Sequence, residues 1–184
     1  MKYDKNWLIE KSSRKEKIKF LFFWGHQSAK DGSVTQSCFS QWWVAPFIIN
    51  GVAYRTAEHW MMAEKARLFN DNDVAQKVLK IPSPAEAKKL GRLVKNFNPA
   101  IWDKSKVEIV VKGNEQKFLQ HQSLKEFLLN TGNKILVEAS PVDNIWGIGL
   151  AADNKAVNNP LLWRGENLLG FALMEVRDKL KNNE

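Results

Sequence analysis

The chain has 184 residues, 44% of them hydrophobic and 26% charged, a composition that suits one globular domain with a substantial core and leaves no apolar run near the roughly 18 residues of a membrane span. A lone cysteine, Cys38, excludes an intramolecular disulfide, and with only three histidines a structural zinc site is not expected. The formal charge of +8 permits an anionic partner, either a phosphorylated metabolite or nucleic acid, without demanding one, because the basic residues are spread along the chain.

Residues 1–18 read as a charged N-terminal extension ahead of a domain spanning 19–184. The extension is polar with weak periodicity, which fits a short helix or a mobile arm. No apolar h-region follows Met1, so a cytosolic location is expected. Lys19 to Trp24 is a short, aromatic-rich apolar run that ends at Gly25, the pattern of a buried strand leading into a loop. A polar loop follows, then Phe39 to Pro46 with Ser40, Trp42 and Trp43. Eight Trp and ten Phe stand against two Tyr, enough rings to build a core and still leave some to line a cleft, where Trp offers a stacking surface for bases. In F-I-I-N-G-V-A-Y, from Phe47 to Tyr54, Asn50-Gly51 sits between apolar runs, and both residues tolerate positive φ, which predicts a hairpin.

The hairpin feeds a helix that starts after Thr56, an N-cap with Glu58 in the first turn. On a wheel of about 100° per residue, Leu68, Met61, Lys65, Glu58, Phe69 and Met62 fall within an arc of roughly 120°. Glu58 and Lys65 thus occupy the middle of an apolar face, almost two turns or about 10 Å apart. Lys65 leans toward the N-terminus and so toward the carboxylate. Three readings are open: a partly buried ion pair, a lysine whose stem packs while its ammonium reaches water, or the floor of a pocket in which an acid and an amine with shifted pKa values converge.

Further along, Ser83-Pro84-Ala85-Glu86 opens a helix to about Lys95, with Arg92 after Gly91. Trp102-Asp103 precedes a helix from Lys104 to Gln120 in which Gly113 is a weak point. Ser123 to Glu126 is a capping box for a helix that Gly132 ends. Lys134 to Ala139 reads as a second buried strand. The following P-V-D-N-I-W-G-I-G lacks the third glycine and the helix of a dinucleotide fingerprint, and is either a pocket wall carrying Asp143 and Trp146 or a structural turn. Trp163 to Asn167 leads into a C-terminal helix, Leu168 to Leu180, that Asn167 caps and whose first amides are suited to a phosphate. The fold class is therefore α+β: a single, mostly helical domain with a few short strands.

These segments together resemble the NADAR or YbiA-like family. The resemblance rests on F-F-W-G (22–25), F-S-Q-W (39–42), T-A-E-H-W-M-M-A-E-K-A (56–66), L-G-R (90–92), I-W-D (101–103), L-V-E-A-S (136–140), D-N-I-W-G-I-G-L (143–150) and W-R-G-E-N-L-L-G-F-A-L-M-E-V-R (163–177). It implies a YbiA-like α+β fold and N-glycosidase activity on one of two substrate groups: ribosylamino-pyrimidine phosphates of riboflavin biosynthesis, or ADP-ribose attached to guanine, with nucleic acid as its carrier. By resemblance Glu58 and Lys65 are the catalytic acid and amine, and Asp143 is counted as catalytic with them. Trp102 and Trp146 resemble substrate-binding pocket residues, and Gly25, Ser40, Arg92 and Asn167 fall in matching motifs. Gln41 stands where the family usually has Asn. No cofactor, metal or membrane is implied, and a monomer is expected.

Breaking the C1′–N bond of an N-riboside passes through a cationic or ring-opened iminium centre, so the site needs an acid near the leaving nitrogen and a group to accept C1′. A desolvated Lys65 supplies the second as a Schiff-base nucleophile, with Glu58 moving the protons. The competing classes are a non-catalytic reader of ADP-ribose or a nucleotide, and general nucleic-acid binding through the basic surface, which requires affinity that falls steeply with salt.

Overall fold

Side-chain caps set most helix starts in the computed structural model, which describes residues 1–14 and 16–182. Asp4 caps α1 (Lys5–Ser13), which precedes β1 (Phe20–Phe23), β2 (Phe47–Ile49) and β3 (Val52–Tyr54). Thr56 caps α2 (Ala57–Leu68), Asp71 caps α3 (Asn72–Lys80) and Ser83 caps α4 (Pro84–Gly91). Asn98 caps α5 (Pro99–Leu119), after which come α6 (Gln122–Leu129), β4 (Ile135–Glu138) and α7 (Leu168–Asn182). This is the mostly helical α+β chain that the sequence predicts. No helix among the described residues is long and apolar enough to cross a membrane.

Several elements differ from expectation for local reasons. α3 was not foreseen, although Asp71 supplies its cap and Val74, Ala75 and Val78 its buried face. α4 stops at Gly91, short of Lys95, and α5 begins at Pro99, because Asn98 and a proline at the first helical position restart the chain there. α6 opens at Gln122, so Ser123 lies inside the helix instead of capping it.

The chain divides into two compact units, residues 1–40 with 123–184 and residues 41–122. In the first, β1 and β4 pair in parallel, Phe20 opposite Ile135 through Phe23 opposite Glu138. Ile135, Leu136 and Val137 are all buried, as a strand covered on both faces requires. α7 packs on β4 with Leu169, Phe171, Ala172 and Leu173 buried. Gly170 makes that packing possible, since a methyl there would run into the Leu136 carbonyl. Residues 1–14 belong to this unit: Leu8 is fully buried, the Tyr3 hydroxyl donates to Asp178 Oδ2 at 2.6 Å, and Lys5 Nζ donates to the Trp163 carbonyl at 2.7 Å.

In the second unit β2 and β3 form the predicted hairpin, with Asn50 at φ 50° and Gly51 at φ 76°. α2 packs against α3, α4 and α5. It is consequently buried on nearly every side through its first two turns, from Ala57 to Ala63, and not along one stripe. Gly113, read as a weak point of α5, is where the Trp60 ring lies against that helix, its Nε1 donating to the Ile109 carbonyl at 2.7 Å.

Candidate active site

The second unit holds Glu58, Lys65, Arg92 and Trp102. At the head of α2 the Thr56 hydroxyl lies 2.8 Å from His59 Nδ1, and His59 Nε2 lies 3.1 Å from the Ile81 carbonyl. A carbonyl can only accept, so Nε2 carries the proton and Nδ1 accepts from Thr56. Burial pushes the His59 pKa down, which keeps the ring neutral and structural. The Glu58 amide donates to the Gln41 carbonyl at 2.9 Å, fixing the turn on which the carboxyl group stands, and Glu58 itself is only 3% exposed.

Lys65 is half-buried, and its amine reaches the end of α4. Nζ donates to the Gly91 carbonyl at 2.8 Å and lies 4.2 Å from the centre of the Phe97 ring and 5.6 Å from that of Trp102. Where the amine sits is set by that carbonyl and the two rings. The reason is the close approach of α4 to α2, where a side chain at Gly91 would collide with Met62. That approach presents a carbonyl of the helix end, which has no partner within α4, to the amine. Desolvation by burial lowers the Lys65 pKa, and the guanidinium of Arg92 lowers it further.

Phe97 was not singled out from sequence. It follows Asn96, which takes a left-handed φ of 54°, and its ring meets Phe69 edge-on at 5.3 Å. Asp71 pins the segment, its Oδ2 accepting from the Lys95 amide at 2.9 Å while it also caps α3. The Asp71 capping signal was the available clue that this loop is ordered.

The first unit holds Gly25, Ser40, Asp143, Trp146 and Asn167. Gly25, at φ 82°, follows β1, and the Asp143–Trp146 turn follows β4, so both leave the carboxyl ends of a parallel pair, where open α/β sheets bind ligands. Ser40 closes the short turn Gln36–Phe39 through its amide, 3.1 Å from the Ser37 carbonyl. Asp143 Oδ1 accepts from the amides of Ile145 at 2.9 Å and Trp146 at 2.8 Å, which shapes the glycine-rich turn. That turn is laced to residues 164–167: the Arg164 and Gly165 amides donate to the Ile148 carbonyl, Glu166 to Asn144 and Asn167 to Gly147.

Two expectations are corrected here. Asn167 does not cap α7 with its side chain and has no surface to offer a substrate. It is fully buried at φ 55°, with Oδ1 accepting from the Glu138 amide and Nδ2 donating to the Leu136 carbonyl, both at 2.9 Å. Nor is the start of α7 an anion site, because the Leu168 and Leu169 amides are taken by the carbonyls of Ile145 and Trp146. Among the described residues, no group of three or more His, Cys, Asp or Glu side chains could hold a metal ion.

The NADAR domain profile matches residues 22–181. The chain belongs to the NADAR family. It is 46% identical to an N-glycosidase of Acanthamoeba polyphaga mimivirus over 170 residues, covering 89% of this chain and 98% of that protein. An N-glycosidase of Nostoc punctiforme is 34% identical, over 79% of this chain and 86% of the relative. The solution structure of YbiA from E. coli superposes with a TM-score of 0.69 at 26% identity, covering 91% of this chain and 88% of that one. The family assignment and the α+β fold expected from the sequence therefore both hold, and with them the activity class: this NADAR protein is a hydrolase of the N-glycosidase kind.

Proposed function

We propose that this N-glycosidase hydrolyses the C1′–N bond of a phosphorylated N-riboside, a ribosylamino-pyrimidine phosphate of riboflavin biosynthesis, through Glu58 and Lys65. The observation that carries the reading is the Lys65 amine: half-buried, flanked by the rings of Phe97 and Trp102, and lowered in pKa by desolvation and by Arg92. A neutral amine is a nucleophile, and an apolar surround favours that form.

In the proposed sequence Glu58 protonates the ring oxygen as the sugar opens to an iminium at C1′, the Lys65 amine adds there, and Glu58 takes back the proton that the new ammonium gives up. The C1′–N bond to the base then breaks, the departing nitrogen taking its proton from Glu58, and the sugar stays bound to Lys65 as an imine. Water adds to the imine, the sugar phosphate leaves as an aldehyde, and Lys65 and Glu58 return to their starting states. Trp102 supplies a stacking face for the base or sugar, a contact worth roughly 1–3 kcal/mol. Arg92, exposed beside the amine, suits the phosphate as well as the tuning of Lys65. In the first unit, the amides that hold Asp143 Oδ1 fix the direction of its other oxygen.

A second substrate presents a ribose on an amine to the same chemistry, ADP-ribose on guanine in nucleic acid, and the charge of +8 permits it as it permits the first. Both substrates assayed side by side decide between them. Release of ribose phosphate from the free ribosylamine, with ADP-ribosylated oligonucleotide untouched, supports the first reading, and the reverse supports the second. Binding of ADP-ribose with turnover of neither would mean a reader and would overturn both.

A further inference from the structure

Two carboxamides lock together inside the second unit. Asn114, fully buried on α5, donates through Nδ2 to Gln41 Oε1 at 2.7 Å and to the Val110 carbonyl at 2.9 Å. Both of its N–H groups thus end on acceptors, so its amide has one orientation, and that orientation dictates which end of the Gln41 amide faces it. The amino end, Gln41 Nε2, is turned away from Asn114. Gln41 is only 7% exposed, and its Nε2 meets no acceptor among the described residues. Burying a donor in this way costs stability, so it calls for a reason.

The position of Gln41 supplies one. Its backbone carbonyl takes the Glu58 amide at 2.9 Å, which ties it to the turn carrying the catalytic acid. We propose that Gln41 is a substrate-binding residue, its Nε2 donating to an oxygen of the ribosyl group, and that Asn114 is the positioning residue that aims it. A neutral carboxamide matches hydroxyl and ring oxygens, whereas a phosphate is matched by Arg or Lys. The two N–H groups of Nε2 also suit a pair of neighbouring sugar oxygens. The inference rests on the N-riboside reading and deepens it, for it names the part of the substrate that the start of α2 recognises. Asn114 Oδ1 is the other buried atom of the pair that meets no partner among the described residues, which makes a water the competing occupant.

The test is a double-mutant cycle on the full chain, with kcat, KM and Tm measured for Gln41→Met, Asn114→Leu and the double variant on a ribosylamine phosphate. Both substitutions keep the approximate shape and remove the amides. Gln41→Met is expected to lower kcat/KM roughly tenfold and to lower Tm, since it leaves an Asn114 N–H without its acceptor, whereas the double variant takes away both partners and should hold Tm near wild type. Asn114→Leu is expected to match that loss, and the double variant to be no worse than either, because Asn114 acts through Gln41. Unchanged kcat/KM with a lowered Tm would show a pair that holds only a water, and would overturn the proposal. Should Gln41→Met not fold, Asn114→Leu alone, which leaves Gln41 in place but unaimed, reads the same way. Glu58→Gln runs in parallel: if it keeps full turnover, the N-riboside reading fails, whereas loss in Glu58→Gln beside a normal Gln41→Met sinks this inference alone.

Discussion

In the second unit a single ionisable side chain is tuned by what packs around it: Lys65 owes its lowered pKa to burial and Arg92, and its direction to a carbonyl that Gly91 brings near. The first unit places Asp143 and Trp146 by another means, a mesh of backbone hydrogen bonds between residues 143–149 and 164–169, with Asn167 tying the mesh to β4. Side-chain burial tunes reactivity at small cost to the fold, because the amine is one group among many in a helical cluster. A backbone mesh fixes shape, and its members cannot be changed without changing stability. Substitutions in the second unit should therefore separate activity from stability, and those in the first should couple them.

The largest expected effect is on Lys65. Lys65→Ala should lower kcat by about a thousandfold or more, while the loss of one hydrogen bond moves Tm by only a few degrees. Steady-state kinetics beside thermal denaturation check this, and comparable losses in both would erase the contrast between the units. Next comes Asn167→Ala, which strands the Glu138 amide and the Leu136 carbonyl and forces alanine to a φ near 55°. About 3 kcal/mol should be lost in a denaturant titration, and Asn167→Gly should recover only the backbone share, about 1 kcal/mol. Intact stability with a raised KM would instead restore Asn167 to the substrate-binding residues. Gly170→Ala, by thrusting a methyl at the Leu136 carbonyl, should cost about 2 kcal/mol.

The smallest effect sharpens the comparison most. Burial first and Arg92 second lower the Lys65 pKa, so its neutral fraction grows as pH rises through that lowered pKa and is lost as pH falls below it. Arg92 is one cause of the lowering. Arg92→Gln should therefore raise the Lys65 pKa and move the rise of kcat with pH to higher pH by a fraction of a unit, with the shift shrinking in high salt. A midpoint that does not move, or moves downward, would mean that Arg92 does not tune the amine.

The local signals were legible. The Asn50-Gly51 hairpin, the Thr56 cap, the apolar runs of β1 and β4 and the proline-led start of α4 were all read from residues a few positions apart. What escaped was non-local. The partner of Lys65 is a carbonyl of α4, and nothing in the spacing of Glu58 and Lys65 tells that a glycine there lets two helices close up. The wheel gave α2 one apolar face, whereas contacts with three other helices bury it almost all round, so Glu58 is buried by its whole surroundings and not by its stripe. Asn167 reads as a cap or a sugar contact, and the same amide that suits either is spent on two backbone groups of β4. Phe97 sits between capping residues and reads as loop, yet its ring is the nearest aromatic neighbour of the amine.

One measurement bears most directly on the chemistry assigned to α2. The protein is mixed with ribosylamine phosphate and borohydride, digested, and mapped by mass spectrometry. A reduced sugar phosphate attached to the peptide carrying Lys65, and absent from Glu58→Gln or from substrate-free controls, is the predicted result. No adduct anywhere, together with near wild-type turnover in Lys65→Ala, would contradict it.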